Sequence, residues 1–573
     1  MNIFVGLILA YLIGLLVYNL YKARKIRSQE DFMVAGRSLS LKVMVFTLIC
    51  TWIGSGTFIA GAEYAAKAGW SSLWLPAGAW VGIAVIYFLA AKIRTFGQYT
   101  IGDILEVRYG KFARLFGALA LVISFTTIVS YQFRAGGYIL NVLTDGAVTV
   151  EVGQFITAAF VITLTAIGGM VAVAHTDLPN GIIILLACVM AVPFAVQFAG
   201  GWEAASAMLP ASHFQTFSQD FGEHPLLKAG GYFLATMLLL MGVQSMYQKF
   251  YSAKTPKEAK TSVALWIVGT IVVETLVIVI AIYGAANHWK DIQQFEICKQ
   301  LQQEVLTGQL PLPATTERAG TLVRQLADEG AITAAQAREL GDLMNRQLAP
   351  LTNDPRRFEE GIGRLGKDPA SIVLVVARDL AGGNAAGFII GVLLLAAACA
   401  VVVSTGMNYL LSPSTNVMRD VYQRFIRPEA APERMVALQK IFIVVIGLCA
   451  FLLIFIPTVL HSKISVLKYS YFAYTIYGVA ITPALIAALS WRRVTRQGGL
   501  ASIISGAIMV ILLEIAVPAA FPQWMRGPAG SQDPFGVPGI YLALAVSLAC
   551  LVVVSYLTPK PDAESLKSLF PEA

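Results

Sequence analysis

The sequence predicts an all-α membrane protein with about 13 transmembrane helices. Of its 573 residues, 57% are hydrophobic and 13% are charged, which is about half the charged fraction of a soluble domain. The mean hydropathy is +0.68. A chain of this composition has too few polar residues to cover a surface in water, so most of it is expected to lie in a lipid bilayer.

Thirteen apolar runs are long enough to be spans, because a helix needs about 20 mostly apolar residues to cross a bilayer. The first run is too long for the core of a signal peptide and is counted as a span. The runs occupy residues 3–21, 43–66, 73–91, 115–142, 155–174, 181–199, 231–247, 263–285, 388–411, 441–456, 469–489, 503–519 and 540–557.

The basic residues indicate how the spans are oriented. The loops after spans 1, 3, 7, 9 and 11 are rich in Lys and Arg, with Lys249 counted in the loop after span 7. The other short loops hold at most one or two basic residues. Because Lys- and Arg-rich loops stay in the cytoplasm, we expect the N-terminus outside and the C-terminus inside. The net charge of +8 then reflects orientation, and no nucleic-acid partner is expected.

One long segment has a different composition. Residues 288–371 hold twelve acidic and ten basic residues, and the stretch 321–348 alternates apolar and polar residues at helical spacing. We expect a helical insertion outside the membrane, and a packed cap is a commoner role for it than binding. The predicted organisation is 1–287 for spans 1–8, 288–371 for an extracytoplasmic insertion, 372–557 for spans 9–13 and 558–573 for a cytoplasmic tail.

Two spans contain sequences that favour an interruption of the helix. Span 2 carries Gly54-Ser55-Gly56 at its middle, and span 7 carries Gly242-Val243-Gln244-Ser245. Interrupted helices at corresponding positions of two five-helix units are typical of an inverted-repeat transporter, in which the freed backbone groups face a binding site. The repeat would pair spans 2–6 with spans 7–11. Close helix packing is the alternative explanation for the glycines of span 2.

Span 9 contains two adjacent hydroxyl residues, Ser404 and Thr405, within an apolar run. A hard cation prefers several oxygen ligands, and two hydroxyls with three backbone carbonyls would supply five. The alternative is that these hydroxyls bond to the backbone of their own helix, as Ser and Thr often do.

Several motifs together resemble the sodium:solute symporter family. The resemblance implies the five-plus-five inverted-repeat fold also found in the leucine transporter, and import of a small organic solute with sodium across the bacterial inner membrane by alternating access. It implies no enzymatic activity. Besides the core of span 2, the matching segments are FMVAGRSLS (32–40), GGMVAVAHTDLPNG (168–181), QKFYSAKTPKEAK (248–260) and STGMNYLLSPSTNVMRDVY (404–422).

The resemblance also implies a sodium site. By motif, its backbone carbonyls fall on Cys50, Ile53 and Val401, and its hydroxyls fall on Ser404 and Thr405.

A second ion is less well supported by the sequence. The family's TD motif falls on Thr176-Asp177, where the acid serves a second sodium ion or an ion exit path. Met407 and Asn408 stand where members with a second sodium have hydroxyls, so one coupling sodium is expected. The alternative for Asp177 is a cap on a helix beginning near Leu178.

The solute is expected to carry a carboxylate. Arg134 lies within the apolar span 4, where a charged side chain by default marks a functional site. A guanidinium binds a carboxylate through two hydrogen bonds, and the family's sialic acid carriers place an arginine in this helix. The alternatives are that Arg134 extends toward the membrane surface or pairs with Glu63 or Glu274.

Further site residues are carried over from helices that line the family's central cavity. Individually, most of them are also compatible with ordinary packing. The candidates are Trp52, Thr57, Phe58, Trp74, Gln132, Gln244 and Ser245 for substrate binding, and Tyr474 and Tyr477 for gating.

Other functions are compatible with parts of the sequence. A transporter-like sensor or regulatory membrane protein and a proton-coupled carrier of a neutral solute stay open. A metalloenzyme or haem enzyme is disfavoured because no two of the five histidines are three or four residues apart. An ATP-driven pump is disfavoured because no GxxxxGK[ST] phosphate-binding loop occurs.

Overall fold

The computed structural model describes residues 3–24, 26–218, 221–222, 224–429, 431–459, 466–527, 533–561, 566 and 569–570. Most of the predicted tail 558–573 lies outside these residues. About 84% of the chain is helical, which confirms the all-α class.

The described residues in the first half of the chain form twelve α-helices. They are α1 (Ile3–Ala23), α2 (Gln29–Val34), α3 (Leu41–Trp52), α4 (Ala62–Ala68), α5 (Trp74–Phe96), α6 (Ile101–Tyr109), α7 (Lys111–Leu143), α8 (Val150–Phe198), α9 (Gly201–Met208), α10 (Pro225–Gly242), α11 (Gln244–Ser252) and α12 (Pro256–Leu306). A π-helical segment, Gly56–Gly61, precedes α4.

The described residues in the second half form eleven more α-helices and one pair of short antiparallel strands. The helices are α13 (Thr315–Asp328), α14 (Ala334–Leu348), α15 (Pro355–Ile362), α16 (Ile372–Ala381), α17 (Ala385–Asn416), α18 (Pro432–Val459), α19 (Val466–Ala480), α20 (Thr482–Ser490), α21 (Arg496–Ile511), α22 (Val517–Ala520) and α23 (Gly539–Leu557). The antiparallel strands are β1 (Met525–Arg526) and β2 (Asp533–Pro534).

Eleven helical segments of the described residues are long and apolar enough to cross a membrane. Two of them cover more than one predicted span. Segment Gly56–Phe96 has 41 residues, and α8 has 49 residues with a bend at Gly169, whose φ of 48° favours glycine. The loop expected at 175–180 is helical. The thirteen crossings and the orientation of the termini stay predictions.

Both predicted helix interruptions are present. The helix α3 ends at Trp52, and Ile53 is extended with φ −70° and ψ 94°. The helix α10 ends at Gly242, and Val243 is extended with φ −65° and ψ 119°. In each case the extended residue is β-branched, a type that favours this backbone conformation.

The glycines of span 2 allow close packing beside the first break. A Cβ atom on Gly54 would lie 2.8 Å from the methyl group of Thr405 and 3.1 Å from Nε2 of Gln132. A Cβ atom on Gly56 would lie 2.6 Å from the Tyr474 hydroxyl. The glycines therefore bring α17, α7 and α19 close to the break, so the packing explanation holds alongside the interruption.

The insertion is helical and contacts the helix that follows the first break. The helix α12 changes direction at His288, where φ is −121°, and continues to Leu306. Lys67 of α4 pairs with Glu296 of this extension at 2.7 Å and with Glu63 of its own helix at 3.2 Å. The second half of the interrupted helix is thus held by the insertion.

Candidate functional site

The hydroxyl of Thr405 links α17 to the first helix break. Its Oγ1 donates to the backbone carbonyls of Cys50 at 2.9 Å and Ile53 at 3.1 Å. A hydroxyl carries only one hydrogen, so it cannot fully satisfy both carbonyls. Three oxygens therefore converge at the end of α3, in a region where all three residues are buried.

The other two predicted sodium ligands lie in the same helix as Thr405. The Ser404 hydroxyl donates to a carboxylate oxygen of Asp177. Val401 lies one turn before Thr405 in α17 and is fully buried. The acceptors of these hydrogen bonds lie outside α17. The alternative, in which the hydroxyls of Ser404 and Thr405 bond to the backbone of their own helix, is therefore not what the structure shows.

Asp177 is the centre of a buried polar cluster. Its carboxylate accepts hydrogen bonds from Thr47 Oγ1 at 2.5 Å, from Asn408 Nδ2 at 3.0 Å and from Ser404. Asp177 lies inside the continuous helix α8. The alternative in which it caps a helix beginning near Leu178 is therefore wrong, because no helix begins there.

Lys249 is a site residue that the sequence prediction assigned to a basic loop. The interrupted helix resumes at Gln244 and continues as α11 to Ser252, so Lys249 is fully buried. Its ammonium group donates to Oδ1 of Asn408, and its charge attracts that of Asp177. Its position in the QKFYSAK segment, soon after an interruption, was the available signal.

A central cavity of about 420 Å³, its opening included, lies beside the first break. The wall combines aromatic, apolar, hydroxyl and glycine residues with one acid. It is formed by Trp52, Gly56, Thr57, Gly61, Ser72, Leu75, Pro76, Thr236, Glu274, Ile278 and Tyr474.

Glu274 is the acidic residue of this wall, and it is 3% exposed. Oε1 accepts from the indole nitrogen of Trp52 at 2.8 Å, and Oε2 accepts from that of Trp80 at 2.6 Å. The sequence prediction named Glu274 only as a partner for Arg134. An acid within an apolar span was the signal that pointed to a site.

Side chains from neighbouring helices satisfy the backbone at both breaks. Gln132 of α7 accepts from the backbone N–H of Ser55 at 3.1 Å. The Tyr477 hydroxyl of α19 donates to the Gly242 carbonyl at 2.8 Å and accepts from the Gln244 N–H at 3.0 Å. Tyr477 therefore lies at the second break, outside the cavity wall.

Tyr474 is the predicted gating residue that reaches the cavity. Its ring centroid lies 5.9 Å from that of Trp52, and its hydroxyl lies 3.3 Å from that of Tyr131. Three of the predicted site residues, Trp52, Thr57 and Tyr474, therefore lie in the same cavity wall.

The remaining predicted binding residues lie elsewhere. Trp74 stacks on Phe217 at 5.7 Å, and the Gln244 side chain accepts from the N–H of Ile101 at 2.7 Å. Phe58 and Ser245 are buried beside the first and second breaks. None of the four belongs to the cavity wall formed by the described residues.

Arg134 also lies outside this cavity wall. Its Nη1 is 3.9 Å from Oε1 of Glu151, and its guanidinium is 5.1 Å from the ring centroid of Tyr138. Of the two acids suggested as partners of Arg134, Glu63 pairs with Lys67 and Glu274 accepts hydrogen bonds from two tryptophans.

Comparison with known proteins places this geometry in a family. The model of the sodium:solute symporter family matches residues 32–300 and 371–506. The chain belongs to the sodium:solute symporter family. The stretch that the family model leaves out, 301–370, falls within the predicted insertion.

Relatives and a solved structure agree with this assignment. The symporter is 23% identical to the osmoregulated proline transporter OpuE of Bacillus subtilis, over 97% of this chain and 95% of that one. It is 24% identical to a sodium/proline symporter of Staphylococcus aureus, over 97% and 93%. A sodium-coupled sialic acid symporter in a substrate-bound outward-open state shares the fold, with TM-score 0.67, 16% identity and coverage of 98% and 99%.

These findings confirm three predictions. The chain is a multi-pass plasma membrane protein, it is a member of a family of sodium-coupled solute importers, and its family and relatives are transporters. Members of the family use sodium as the coupling ion and bind a small solute as the transported partner.

Proposed function

We propose that this symporter imports a small organic solute bearing a carboxylate, together with one sodium ion, by alternating access. Sodium would bind between α3 and α17, on the carbonyls of Cys50, Ile53 and Val401 and the hydroxyls of Ser404 and Thr405. The observation that carries the proposal is the hydroxyl of Thr405, which lies within hydrogen-bond distance of two carbonyl oxygens at the helix break.

The donor set fits a singly charged ion. All five groups are neutral oxygens, which suit a hard cation, so the ligands themselves leave no unpaired charge in the protein after the ion is released. Sodium would satisfy both carbonyls more completely than the single hydrogen of Thr405. To join the site, Ser404 would exchange its hydrogen bond to Asp177 for the ion.

Sodium binding would couple the ion to the solute. The ion would tie the break at Ile53 to α17, and the same break supplies Gly56 and Thr57 to the cavity wall. Ordering the break would therefore raise the affinity of the cavity for its solute. Inward movement of one charge gains about 2.3 kcal/mol per 100 mV of membrane potential. Asp177, beside Ser404, is proposed to serve the ion's exit path.

Lys249 supports a stoichiometry of one sodium. Asp177 already has a cation of the protein nearby, since the Lys249 ammonium donates to Asn408, which in turn donates to Asp177. A second sodium at Asp177 would be repelled by this charge. The coupling ratio is therefore proposed to be one sodium ion per solute.

The sodium site is tested by the double variant Ser404→Ala with Thr405→Ala. Because two of five ligands are removed, we expect sodium affinity to fall at least about tenfold. The measurement is the rise in Tm with sodium chloride against potassium chloride, followed by proline uptake into proteoliposomes, since relatives are named proline transporters.

Thr165→Val is the matched control, because Thr165 is buried in α8 and its hydroxyl bonds to Val161 of the same helix at 2.7 Å. The control should keep the sodium response of the unmodified protein, with a Hill coefficient near that of a single site. A double variant that keeps its sodium response would refute the proposed ligands.

Arg134 is proposed to bind the solute carboxylate in competition with Glu151. Their separation of 3.9 Å exceeds that of a charge-assisted hydrogen bond. We expect Arg134→Gln to raise the KM for proline by about tenfold or more, with the sodium-induced rise in Tm unchanged. Glu151→Gln is the control and should not raise KM. An unchanged KM in Arg134→Gln would exclude this contact.

A further inference from the structure

We infer, on the basis of the proposed function, that Glu274 binds a positively charged nitrogen of the solute. The carboxylate belongs to the wall of the central cavity, next to the helix break. No sequence motif or named relative assigns a role to this residue.

The hydrogen bonds of Glu274 hold its carboxylate in place without neutralising it. Both oxygens accept from indole N–H groups, at 2.8 Å from Trp52 and 2.6 Å from Trp80. These donors are neutral. Among the residues that the structure describes, no Lys, Arg or His forms an ion pair with Glu274. A carboxylate that is 3% exposed therefore lacks a counter-ion among the described residues.

A buried charge of this kind is costly unless a partner of opposite charge is present. The cavity is the space from which such a partner can approach, because Glu274 is part of its wall. A cationic ligand would gain the attraction of a carboxylate that is already desolvated and already oriented by two hydrogen bonds. The site is thus preorganised for a cation.

The surroundings favour an organic ammonium over a metal ion. Indole N–H groups are donors only, so Trp52 and Trp80 cannot ligate a metal. The described residues contain no cluster of three or more His, Cys, Asp or Glu suited to a metal. The rings of Trp52 and Tyr474 lie 5.9 Å apart in the same wall, and aromatic faces attract organic cations.

The chemistry also fits the rest of the proposed function. A solute that bears the proposed carboxylate together with a cationic nitrogen for Glu274 is a zwitterion. Its entry would neutralise Glu274 without adding net charge to the membrane interior. The charge that crosses would then be that of sodium alone.

The test uses pairs of compounds with nearly the same shape, of which one member carries a cationic nitrogen. The pairs are proline and tetrahydrofuroate, glycine betaine and tert-butylacetate, and pyrrolidinium and tetrahydrofuran. The rise in Tm of the purified full-length protein is titrated with each compound in sodium chloride and in potassium chloride, since ligands that bind the folded state stabilise it.

We expect at least one nitrogen cation to stabilise the protein in sodium, with its partner compound at least about tenfold weaker. Glu274→Gln should lose this preference and keep the response to sodium alone. Glu63→Gln is the matched control, because that buried acid pairs with Lys67, which retains Glu296. The control should keep the preference for nitrogen.

Three binding results would overturn the inference. They are equal binding of both members of every pair, a full preference for nitrogen in Glu274→Gln, and no stabilisation by any nitrogen cation. Uptake that loses its pH dependence in Glu274→Gln while keeping solute affinity would assign the carboxylate to a proton and also overturn it. Failure of the proposed sodium coupling is separate, because it would appear as no effect of sodium in any variant.

Discussion

Asp177 and Glu274 are two buried acids near the same helix break, and they differ in how their charge is balanced. Asp177 accepts from two hydroxyls and an amide, and that amide group also binds the ammonium of Lys249. Glu274 accepts from two indoles and has no cationic partner among the described residues. The first acid is enclosed by helices, whereas the second belongs to a cavity wall.

The difference separates two kinds of polar site. Where the protein provides its own cation, the charge of the acid is already compensated, and the cluster connects α3, α8, α11 and α17. Where the cation is missing and a cavity is present, the same type of side chain is left to bind a ligand. A buried acid alone therefore does not identify a binding site, and the source of its counter-ion does.

The largest expected effect comes from removing the ammonium group that is linked to Asp177 through Asn408. Lys249→Met leaves Asp177 without a counter-ion and should lower the free energy of unfolding by about 3–5 kcal/mol. Adding Asp177→Asn removes the unpaired charge, so the double variant should lose less than the sum of the two single variants. Chemical unfolding in detergent measures both values.

Lys67→Met is the control, because that side chain is 26% exposed and its ion pairs with Glu63 and Glu296 are therefore partly screened by solvent. Lys67→Met should lower the free energy of unfolding by well under half as much as Lys249→Met does. Equal losses from Lys249→Met and Lys67→Met, or additive losses in the double variant, would remove the distinction between the two acids.

A smaller effect is expected at Glu274. Trp80→Phe removes one hydrogen bond to the carboxylate and should lower the free energy of unfolding by about 1.5–3 kcal/mol. Trp74→Phe is the control, because its indole donates to the neutral carbonyl of Thr216 at 3.0 Å, a bond worth about 0.5–1.5 kcal/mol. A saturating nitrogen cation should reduce the deficit of Trp80→Phe only. A larger loss of unfolding free energy in Trp74→Phe than in Trp80→Phe would show that Glu274 is not a charged acceptor.

The smallest effect is expected at a third acid, outside the membrane-spanning segments. Burial of Asp368 and the nearby charge of Glu63 raise the pKa of Asp368. The folded state then binds its proton more tightly than the unfolded state, so stability falls as pH rises from about 4 through the raised pKa. Asp368→Asn should flatten this part of the stability profile, measured as Tm against pH. A profile with the same slope in both proteins would contradict the assignment.

Much of the site could be predicted because it depends on local sequence. The interruptions near Gly54 and Gly242 occur where predicted. The family resemblance, rather than the local sequence, associated Thr405 with the carbonyls of Cys50 and Ile53, which are 355 and 352 positions away. The turn chemistry of these short segments and the position of hydroxyls in an apolar run are visible in the chain itself.

The prediction was wrong where a helix continued past the expected end of a span. Lys249 was assigned to a loop because the apolar run ends at Tyr247, yet α11 continues to Ser252 inside the protein. In the same way, the polar residues 175–180 were expected in a loop and are helical. Apolar length marks the part of a helix that faces lipid or core, and it does not detect a polar part that packs against other helices.

The sequence by itself determined the membrane class, the family, the two helix interruptions and the hydroxyl pair, because these depend on composition and on residues close together in the chain. Only the tertiary structure decided which charges meet. Trp52 and Glu274 are 222 positions apart, and Ser404 and Asp177 are 227 positions apart. Such contacts arise when helices pack and exclude water, which makes each buried charge depend on partners that no local pattern specifies.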